Sequence, residues 1–322
     1  MGKYISIYGD FIQQFIMFKR SLGYKFIDAE YVYSKFDRFA FEQSVSEIGI
    51  TKELTDTWAI KLPNESDSTC YRRVLYLIQF SQFINDSGFL SYIPKLPSAY
   101  RSTFTPYVFS KTEIERIFDA ADSIKAKNSM VSHAIVIPSL LRLLYATGLR
   151  INEALSLHAQ DVNFEKKYLI VRQSKNGKER LLPFSDSIAV VLEQYRKSVY
   201  PATIMTDCFF IRRNGQKCNS KAVYDWFRRI LWEAGISHGG RQVGPCLHSF
   251  RHTFSVHSLA AMAESGLDLY YSLPILSEYL GHLSLEATEK YVRMTSDRYP
   301  GILSDVREIC GFVFPEVYYE YE

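Results

Sequence analysis

The chain has 322 residues, of which 47% are hydrophobic and 23% are charged, and its formal net charge is +3. This composition is typical of a folded globular protein and excludes a disordered or low-complexity chain, while the length favours two domains over one. The small positive charge excludes no class of partner, because phosphate binding depends on local clusters of lysine and arginine.

The five cysteines are widely spaced and form no CxxC pair, which disfavours a disulfide framework and a structural zinc site. The amino-terminal segment lacks the apolar run of a signal peptide, and no stretch reaches the roughly 18 apolar residues that a membrane span needs. We therefore expect a cytoplasmic protein with reduced thiols, without metal and without a cofactor.

Residues 1–100 are predicted to form a bundle of about four helices. Apolar residues recur at helical spacing in FIQQFIMFKRSLGY, AEYVYSKFDRFAFEQ and STCYRRVLYLIQFSQFINDSG. The following segment, 93–108, contains three prolines and no long apolar face. Because proline lacks a backbone donor and favours extended geometry in the preceding residue, this segment is predicted to be an interdomain linker.

Residues 109–322 are predicted to form a second, mostly helical domain. A helix is expected to begin at Ser110, where SKTEIERIF supplies a cap and an acidic first turn, and a buried helix is expected to end at Gly148. Two β-rich runs flank Asn176–Gly177 in KYLIVRQSKNGKERLLPF, which predicts a hairpin. NSKAVYDWFRRILWEAG, SFRHTFSVHSLAAMAESG, SLPILSEYLG and SLEATEKYVRM predict further helices. The predicted fold class is mainly α, with one small antiparallel β-sheet.

Six residues of the second half are candidates for a single phosphate-directed site: Arg150, Lys175, His248, Arg251, His282 and Tyr291. Arginines, a lysine and histidines can bind and activate a phosphate group. A tyrosine hydroxyl is a nucleophile that can attack the phosphorus directly.

Arg150 lies in a turn before a predicted short helix, INEALSL. Glu153 is three residues further on and is close enough to orient the guanidinium, which can then bind two phosphate oxygens. Lys175 lies at the predicted hairpin tip, where it is a candidate general acid that protonates a leaving 5′ oxygen. Lys178 is an alternative that the sequence barely separates from it.

His248 and Arg251 share one face of a predicted helix, and His252 follows His248 by four residues. HSFRH lacks the glutamate of the HExxH metalloprotease pattern, and an arginine on the same face would repel a metal ion, so metal binding is disfavoured. His282 follows a glycine at a predicted helix end. Tyr291 is nine residues further on, on the next predicted helix.

The order R…K…HxxR…H…Y, set in the segments ATGLRINEAL, SKNGKERLLP, LHSFRHTF and LGHLSLEATEKY, resembles the tyrosine recombinase (phage integrase) family. The resemblance covers residues from about 140 to 292. It implies a site-specific DNA recombinase of the simple two-domain type. Residues 1–100 would then form the helical core-binding domain, which binds DNA, and 109–322 the catalytic domain.

By position, the resemblance implies that Arg150 and Arg251 bind the scissile phosphate, with His282 as a hydrogen-bond donor. His248 would assist proton transfer from Tyr291, and this tyrosine would form a 3′-phosphotyrosyl bond without metal or ATP.

The resemblance also implies that Lys175 protonates the departing 5′-hydroxyl. The partner would be double-stranded DNA, bound by four protomers on two sites. The tail beyond Tyr291 includes the apolar stretch ILSDVREICGFVF, which is expected to pack into a neighbouring protomer.

Five further basic residues are candidate phosphate contacts, although solvated helix faces explain them equally well: Arg72, Arg73, Lys111, Arg228 and Arg229. Two other functions remain open. A type IB-like topoisomerase would share the chemistry but relax DNA as a monomer, and a DNA-binding regulator would keep the fold without the chemistry.

Overall fold

The computed structural model describes residues 4–97, 105–124, 131–172, 179–199, 207–212, 215–240 and 244–298. The chain divides into two compact units, Met1–Thr103 and Phe104–Glu322. The division falls within the proline-containing segment 93–108.

The described part of the first unit contains four helices: α1 (Gly9–Ser21), α2 (Ile27–Glu42), α3 (Lys52–Ala59) and α4 (Asp67–Asp86). Their shared core is largely aromatic. Phe15, Tyr33, Phe36 and Phe80 are buried and meet in tilted and edge-on ring contacts, which is the favoured geometry for packed aromatic side chains. The predicted four-helix bundle is confirmed.

Arg73 on α4 is buried, so the prediction that it contacts phosphate is wrong. Its side chain is 8% exposed, and its Nη2 lies 2.8 Å from Oε2 of Glu65. The same guanidinium donates to the backbone carbonyls of Trp58 and Ile60. A buried charge must be paired to be tolerated, and the donors that satisfy this requirement are no longer available to DNA.

The described part of the second unit contains eight α-helices: α5 (Lys111–Asp122), α6 (Val131–Thr147), α7 (Ile151–Leu155), α8 (Asp186–Val199), α9 (Ser220–Glu233), α10 (Ser249–Glu264), α11 (Leu269–Leu280) and α12 (Glu286–Arg298). Ser110 caps helix α5, as predicted, and the structure shows that Ser110 and Glu113 form a reciprocal capping box there. Helix α11 begins earlier than predicted, because the side chain of Asp268 caps its first turn. Helix α8 was not predicted.

Three short strands form one antiparallel sheet in the order β1 (Val162–Asn163), β2 (Tyr168–Val171) and β3 (Arg180–Pro183). Val171 of β2 pairs with Arg180 of β3, so the predicted hairpin is confirmed. The connection that carries Lys175 and Lys178 lies outside the described residues. The predicted fold class, mainly α with a small antiparallel sheet, is also confirmed.

The turn after α6 requires glycine, and this turn sets the position of the candidate site. Gly148 has a φ of 59°, in the left-handed region, and a Cβ there would lie 2.5 Å from a ring carbon of Phe254. Only glycine satisfies both the conformation and the close approach. The chain then reverses direction, and Arg150 is the residue that precedes α7.

Within the described ranges, no helix is long and apolar enough to cross a membrane.

Candidate active site

Arg251 on α10 lies at the centre of the site and is only 1% exposed. Its Nη1 donates to the carbonyl oxygen of Gly148 at 2.9 Å, and its Nη2 donates to that of Leu280 at 2.8 Å. These carbonyls end two different helices, α6 and α11. One buried guanidinium therefore fastens the two turns that carry Arg150 and His282. Burial, followed by the charge of Arg150, lowers the pKa of Arg251 to about 10, which still leaves it protonated at neutral pH.

Glu153 orients Arg150, as the spacing of the two residues predicts. Nη1 of Arg150 lies 2.7 Å from Oε1 of Glu153, and the backbone N–H of Arg150 donates to Oε2 at 3.0 Å. A second arginine, Arg180 of β3, shares the carboxylate, with its Nη2 at 2.8 Å from Oε2. Burial acts to raise the pKa of Glu153, but the hydrogen bond and charge of Arg180, together with Arg150, outweigh it and hold the pKa below its usual value. Glu153 is therefore an anion held between two cations.

Arg180 joins the β-hairpin to this network. Besides its ion pair with Glu153, its Nε donates to the carbonyl oxygen of Tyr279 at 3.1 Å. Gly281 leaves room for it, since a Cβ at this glycine would lie 3.1 Å from the Arg180 side chain. The first residue of β3 is therefore tied to both α7 and the end of α11.

Tyr291 on α12 is 1% exposed and packs in a small apolar cluster with Val256, Leu259, Leu276 and Leu280. This cluster holds α12 against α10 and α11. The ring is thereby directed toward the turn regions that Arg251 fastens.

The hydroxyl of Tyr291 has several polar neighbours. It lies 3.0 Å from Nδ1 of His252, and it also interacts with the side chains of Arg251 and Ser255. Its ring stacks on that of His282 at an interplanar angle of 19° and a centroid separation of 6.3 Å. Burial raises the pKa of Tyr291, although the charge of Arg251 opposes this effect. The hydroxyl is therefore protonated at neutral pH and must lose its proton when it attacks.

Three histidines lie near Tyr291, and they differ in their exposure to solvent. His248, the residue before α10, is exposed, whereas His252 is 4% exposed, and their rings meet edge-to-face at 4.6 Å. Nδ1 of His282 lies 2.7 Å from Oγ1 of Thr288. Each histidine is fixed by a neighbour on its own or the adjoining helix.

The three imidazoles are neutral at neutral pH. Burial, then the charges of Arg251 and Arg150, lowers the pKa of His282 to about 4. The pKa of His248 is also lowered, by desolvation on the side of the ring that faces α10 and by the same two arginines. Burial, then His248, lowers that of His252 to about 3. These rings therefore act as hydrogen-bond partners and not as permanent cations.

The structure brings five of the six predicted residues into one neighbourhood: Arg150, His248, Arg251, His282 and Tyr291. Lys175 lies outside the described residues. The sequence analysis missed His252 and Arg180 as members of the site. The position of His252 on the same helical face as His248 was a signal that could have identified it. Arg180 and Glu153 are 27 positions apart, and no local pattern in the sequence indicates their contact.

In the parts of the chain that the structure describes, no cluster of histidine, cysteine, aspartate or glutamate could hold a metal ion.

The sequence profile of the phage integrase family matches residues 108–298, which is more than half of the chain and includes the whole neighbourhood described above. The chain belongs to the phage integrase family. The predicted class of enzyme, a tyrosine-type site-specific DNA recombinase, is confirmed with it.

Two relatives of this member of the phage integrase family are named tyrosine recombinases. It is 32% identical to tyrosine recombinase XerA of Pyrococcus horikoshii over 207 residues, and this alignment covers 63% of this chain and 60% of that protein. It is 27% identical to tyrosine recombinase XerD of Oceanobacillus iheyensis over 247 residues, and this alignment covers 75% of this chain and 76% of that protein.

Solved structures share its fold. XerH recombinase bound to palindromic difH substrate in a post-cleavage complex has a TM-score of 0.62 and 20% identity, over 86% of this chain and 78% of that one. A lambda integrase (75–356) dimer bound to a COC′ core site has a TM-score of 0.62 and 15% identity, over 88% and 94%. At such identities the likeness establishes the fold alone.

Proposed function

We propose that this recombinase cleaves one DNA strand by attack of Tyr291 on a phosphodiester and rejoins it to another strand. The observation that carries the proposal is the position of the Tyr291 hydroxyl, which interacts with the buried guanidinium of Arg251 and lies 3.0 Å from an imidazole nitrogen. Arg251 in turn fastens the turns that carry Arg150 and His282. A nucleophile and a set of phosphate-binding groups therefore share one site.

The reaction follows from these groups. The hydroxyl of Tyr291 gives up its proton with the assistance of His248, and its oxygen bonds to phosphorus. The bond from phosphorus to the 5′ oxygen breaks, Lys175 protonates the departing 5′ oxygen, and a 3′-phosphotyrosyl ester forms. Negative charge grows on the non-bridging oxygens, where prepositioned cations such as Arg150 and Arg251 stabilise it in a site shielded from water. The 5′-hydroxyl of a second strand then attacks the ester and releases the tyrosine. The ester conserves the energy of the broken bond, so this scheme uses no ATP, and the arginines stabilise the charge that a metal ion would otherwise neutralise.

His282 is suited to donate a hydrogen bond to the phosphate. If Nδ1 accepts from the hydroxyl of Thr288, the neutral ring carries its proton on Nε2, which can then donate to a phosphate oxygen. We assign assistance in proton transfer to His248, whose exposed ring contacts the imidazole beside the nucleophile.

We assign the general acid to Lys175, with Lys178 as the alternative. The support is the hairpin itself, since β2 and β3 pair up to Val171 and Arg180. Arg180 ties this end of the hairpin to Glu153 and so to the arginine that binds phosphate.

The site must open before DNA can react. Arg251 and Tyr291 are each only 1% exposed, so a phosphate cannot reach either in the described conformation. We propose that DNA binding displaces the segment between α11 and α12, which contains the exposed residues Leu283 and Leu285. Phosphate binding and exposure of the nucleophile would then occur together.

We assign DNA binding to both units, with the first as core-binding domain, and place the reaction in the cytoplasm. Exposed basic residues that support a phosphate-binding surface are Arg72, Lys111, Arg228 and Arg229. Replacement of each one by alanine should weaken DNA binding and reduce its dependence on salt concentration.

We propose that four copies assemble on two DNA sites through the carboxy-terminal tail. Support comes from an exposed apolar patch on α11, formed by Tyr270, Tyr271 and Ile275, which are 78%, 66% and 56% exposed. The apolar stretch after α12 in a neighbouring copy is its proposed occupant. Ile275→Asp should then prevent assembly on DNA and leave single-site binding intact. Val190→Asp, at an equally exposed position of α8, should leave both assembly and single-site binding intact.

The proposed function is tested with DNA that the chain itself selects from a random-sequence pool. A nicked duplex of the selected site should trap a covalent protein–DNA complex, and a second duplex should yield joined recombinant strands. Relaxation by a monomer without joined products would favour the topoisomerase alternative. Binding without any covalent complex would favour the non-catalytic regulator.

A further inference from the structure

We infer that His252 is a positioning residue for the nucleophile: its imidazole accepts the hydrogen bond of the Tyr291 hydroxyl and holds the phenolic oxygen beside Arg251. The inference rests on the proposed function and deepens it. The role that family resemblance gives to the neighbouring His248 is separate, because the structure places His252 at the hydroxyl.

The geometry distinguishes the two histidines. Nδ1 of His252 lies 3.0 Å from the hydroxyl oxygen of Tyr291, within hydrogen-bond range, and the two rings are 5.6 Å apart. His248 contacts the ring of His252, at 4.6 Å between centroids, and is exposed. His252 therefore stands between the exposed histidine and the nucleophile.

The location of His252 in α10 explains why it can act as a fixed anchor. It follows Arg251 directly, and Ser255, which also contacts the hydroxyl, lies one helical turn further on. All three side chains belong to one helix and are no more than 4% exposed, so the packing around α10 sets their positions together. The hydroxyl of Tyr291 thus meets a preformed polar surface on α10, while its ring is held by apolar contacts from α11.

Chemistry favours positioning over proton removal. Burial, then the neighbouring His248 and Lys290, lowers the pKa of His252 to about 3, so its ring stays neutral and is a weak base. A neutral imidazole with its proton on Nε2 can accept from the phenol through Nδ1. Without this bond a buried hydroxyl loses one partner and the ring gains freedom to rotate away from the phosphate.

Two substitutions separate positioning from proton removal. In His252→Asn, the side-chain amide oxygen can replace Nδ1 as an acceptor but cannot take up the proton. His252→Phe keeps a ring of similar size and removes the acceptor. On the nicked duplex of the selected site, the Phe variant should form the covalent complex about tenfold more slowly than wild type, the equivalent of one hydrogen bond. The Asn variant should recover most of that loss.

A spectroscopic measurement on the full-length chain without DNA tests the contact itself. In protein with ¹⁵N-labelled histidine, the Nδ1 signal of His252 should be that of an unprotonated nitrogen, and it should shift in Tyr291→Phe. The matched control is His238, whose Nε2 lies 3.0 Å from the hydroxyl of Tyr224. Tyr224→Phe should shift the signal of His238 and leave that of His252 unchanged.

The outcomes separate the two hypotheses. If the wild-type chain forms no covalent complex, the proposed function fails, and the inference with it. If the complex forms but Tyr291→Phe leaves the His252 signal unmoved, only the inference fails. Full activity of His252→Phe would also overturn it, and an Asn variant as slow as the Phe variant would make His252 the proton acceptor instead.

Discussion

Glu153→Gln is expected to destabilise the second unit and to slow DNA cleavage, because it removes the anion that two arginines share. The side chain of Glu153 is 2% exposed, and its carboxylate lies 2.7 Å from Arg150 and 2.8 Å from Arg180. Glutamine has nearly the same shape, but its amide offers one acceptor in place of two charged oxygens. Two guanidinium groups would then face each other without compensation.

The magnitude follows from the burial of this network. Removing one partner of a buried ion pair costs about 3–5 kcal/mol, and the remaining amide acceptor places this substitution near the lower end, at about 3 kcal/mol. A unit of this size loses about 2–4 °C of melting temperature per kcal/mol, so we expect a decrease of roughly 6–12 °C. Misorientation of Arg150 should lower the cleavage rate by at least about tenfold.

The measurement is thermal unfolding by calorimetry, with covalent complex formation on the selected duplex in parallel. The matched control is Glu193→Gln, at a carboxylate that is 46% exposed and lies 3.9 Å from Lys197. That exposed pair should contribute less than about 0.5 kcal/mol. A Glu153→Gln variant that unfolds and cleaves like the control would refute the reasoning that this carboxylate holds the site together.

Three further perturbations have defined outcomes. Gly148→Ala should lower the free energy of unfolding, measured by chemical denaturation, by about 2–4 kcal/mol, because it adds overpacking to left-handed backbone strain. Gly266→Ala has open space around its Cβ and should lower it by about 1–2 kcal/mol. Equal losses would contradict the close approach of Phe254 to Gly148. Because burial lowers the pKa of His252 below its unfolded value, its contribution to stability is complete above about pH 6.5 and is lost as pH falls toward 3. His252→Asn should therefore reduce the slope of stability against pH in this window by about 1.4 kcal/mol per pH unit, and an unchanged slope would show that the ring is not held neutral. Lys175→Ala should slow cleavage, and a 5′-bridging phosphorothiolate, whose thiolate leaves without a proton, should restore it; rescue of Lys178→Ala instead would move the general acid there.

The sequence predicted those features that local chemistry determines. The cap at Ser110 with the acidic first turn of α5, the hairpin and the helix end at Gly148 each depend on residues within a few positions of one another. Arg150 and Glu153 are three residues apart, so their contact was also predictable.

Long-range contacts were not predictable from local patterns. The hydrogen bonds from Arg251 to the carbonyls of Gly148 and Leu280 join segments 103 and 29 residues away, and backbone carbonyls have no sequence signature. The contact of His252 with Tyr291 spans 39 residues. Arg73 shows the converse error, because a basic residue on an amphipathic helix gave no indication of its buried carboxylate partner.

The central claim is that Tyr291 is the residue that attacks DNA, and mapping the covalent bond tests it most directly. The wild-type chain should be trapped on the nicked duplex, digested with protease and nuclease, and analysed by mass spectrometry. The account predicts a nucleotide joined through its 3′ phosphate to the peptide that contains Tyr291, and no such adduct on any peptide of Tyr291→Phe. An adduct on another of the 23 tyrosines, or an adduct that persists in the Phe variant, would contradict it.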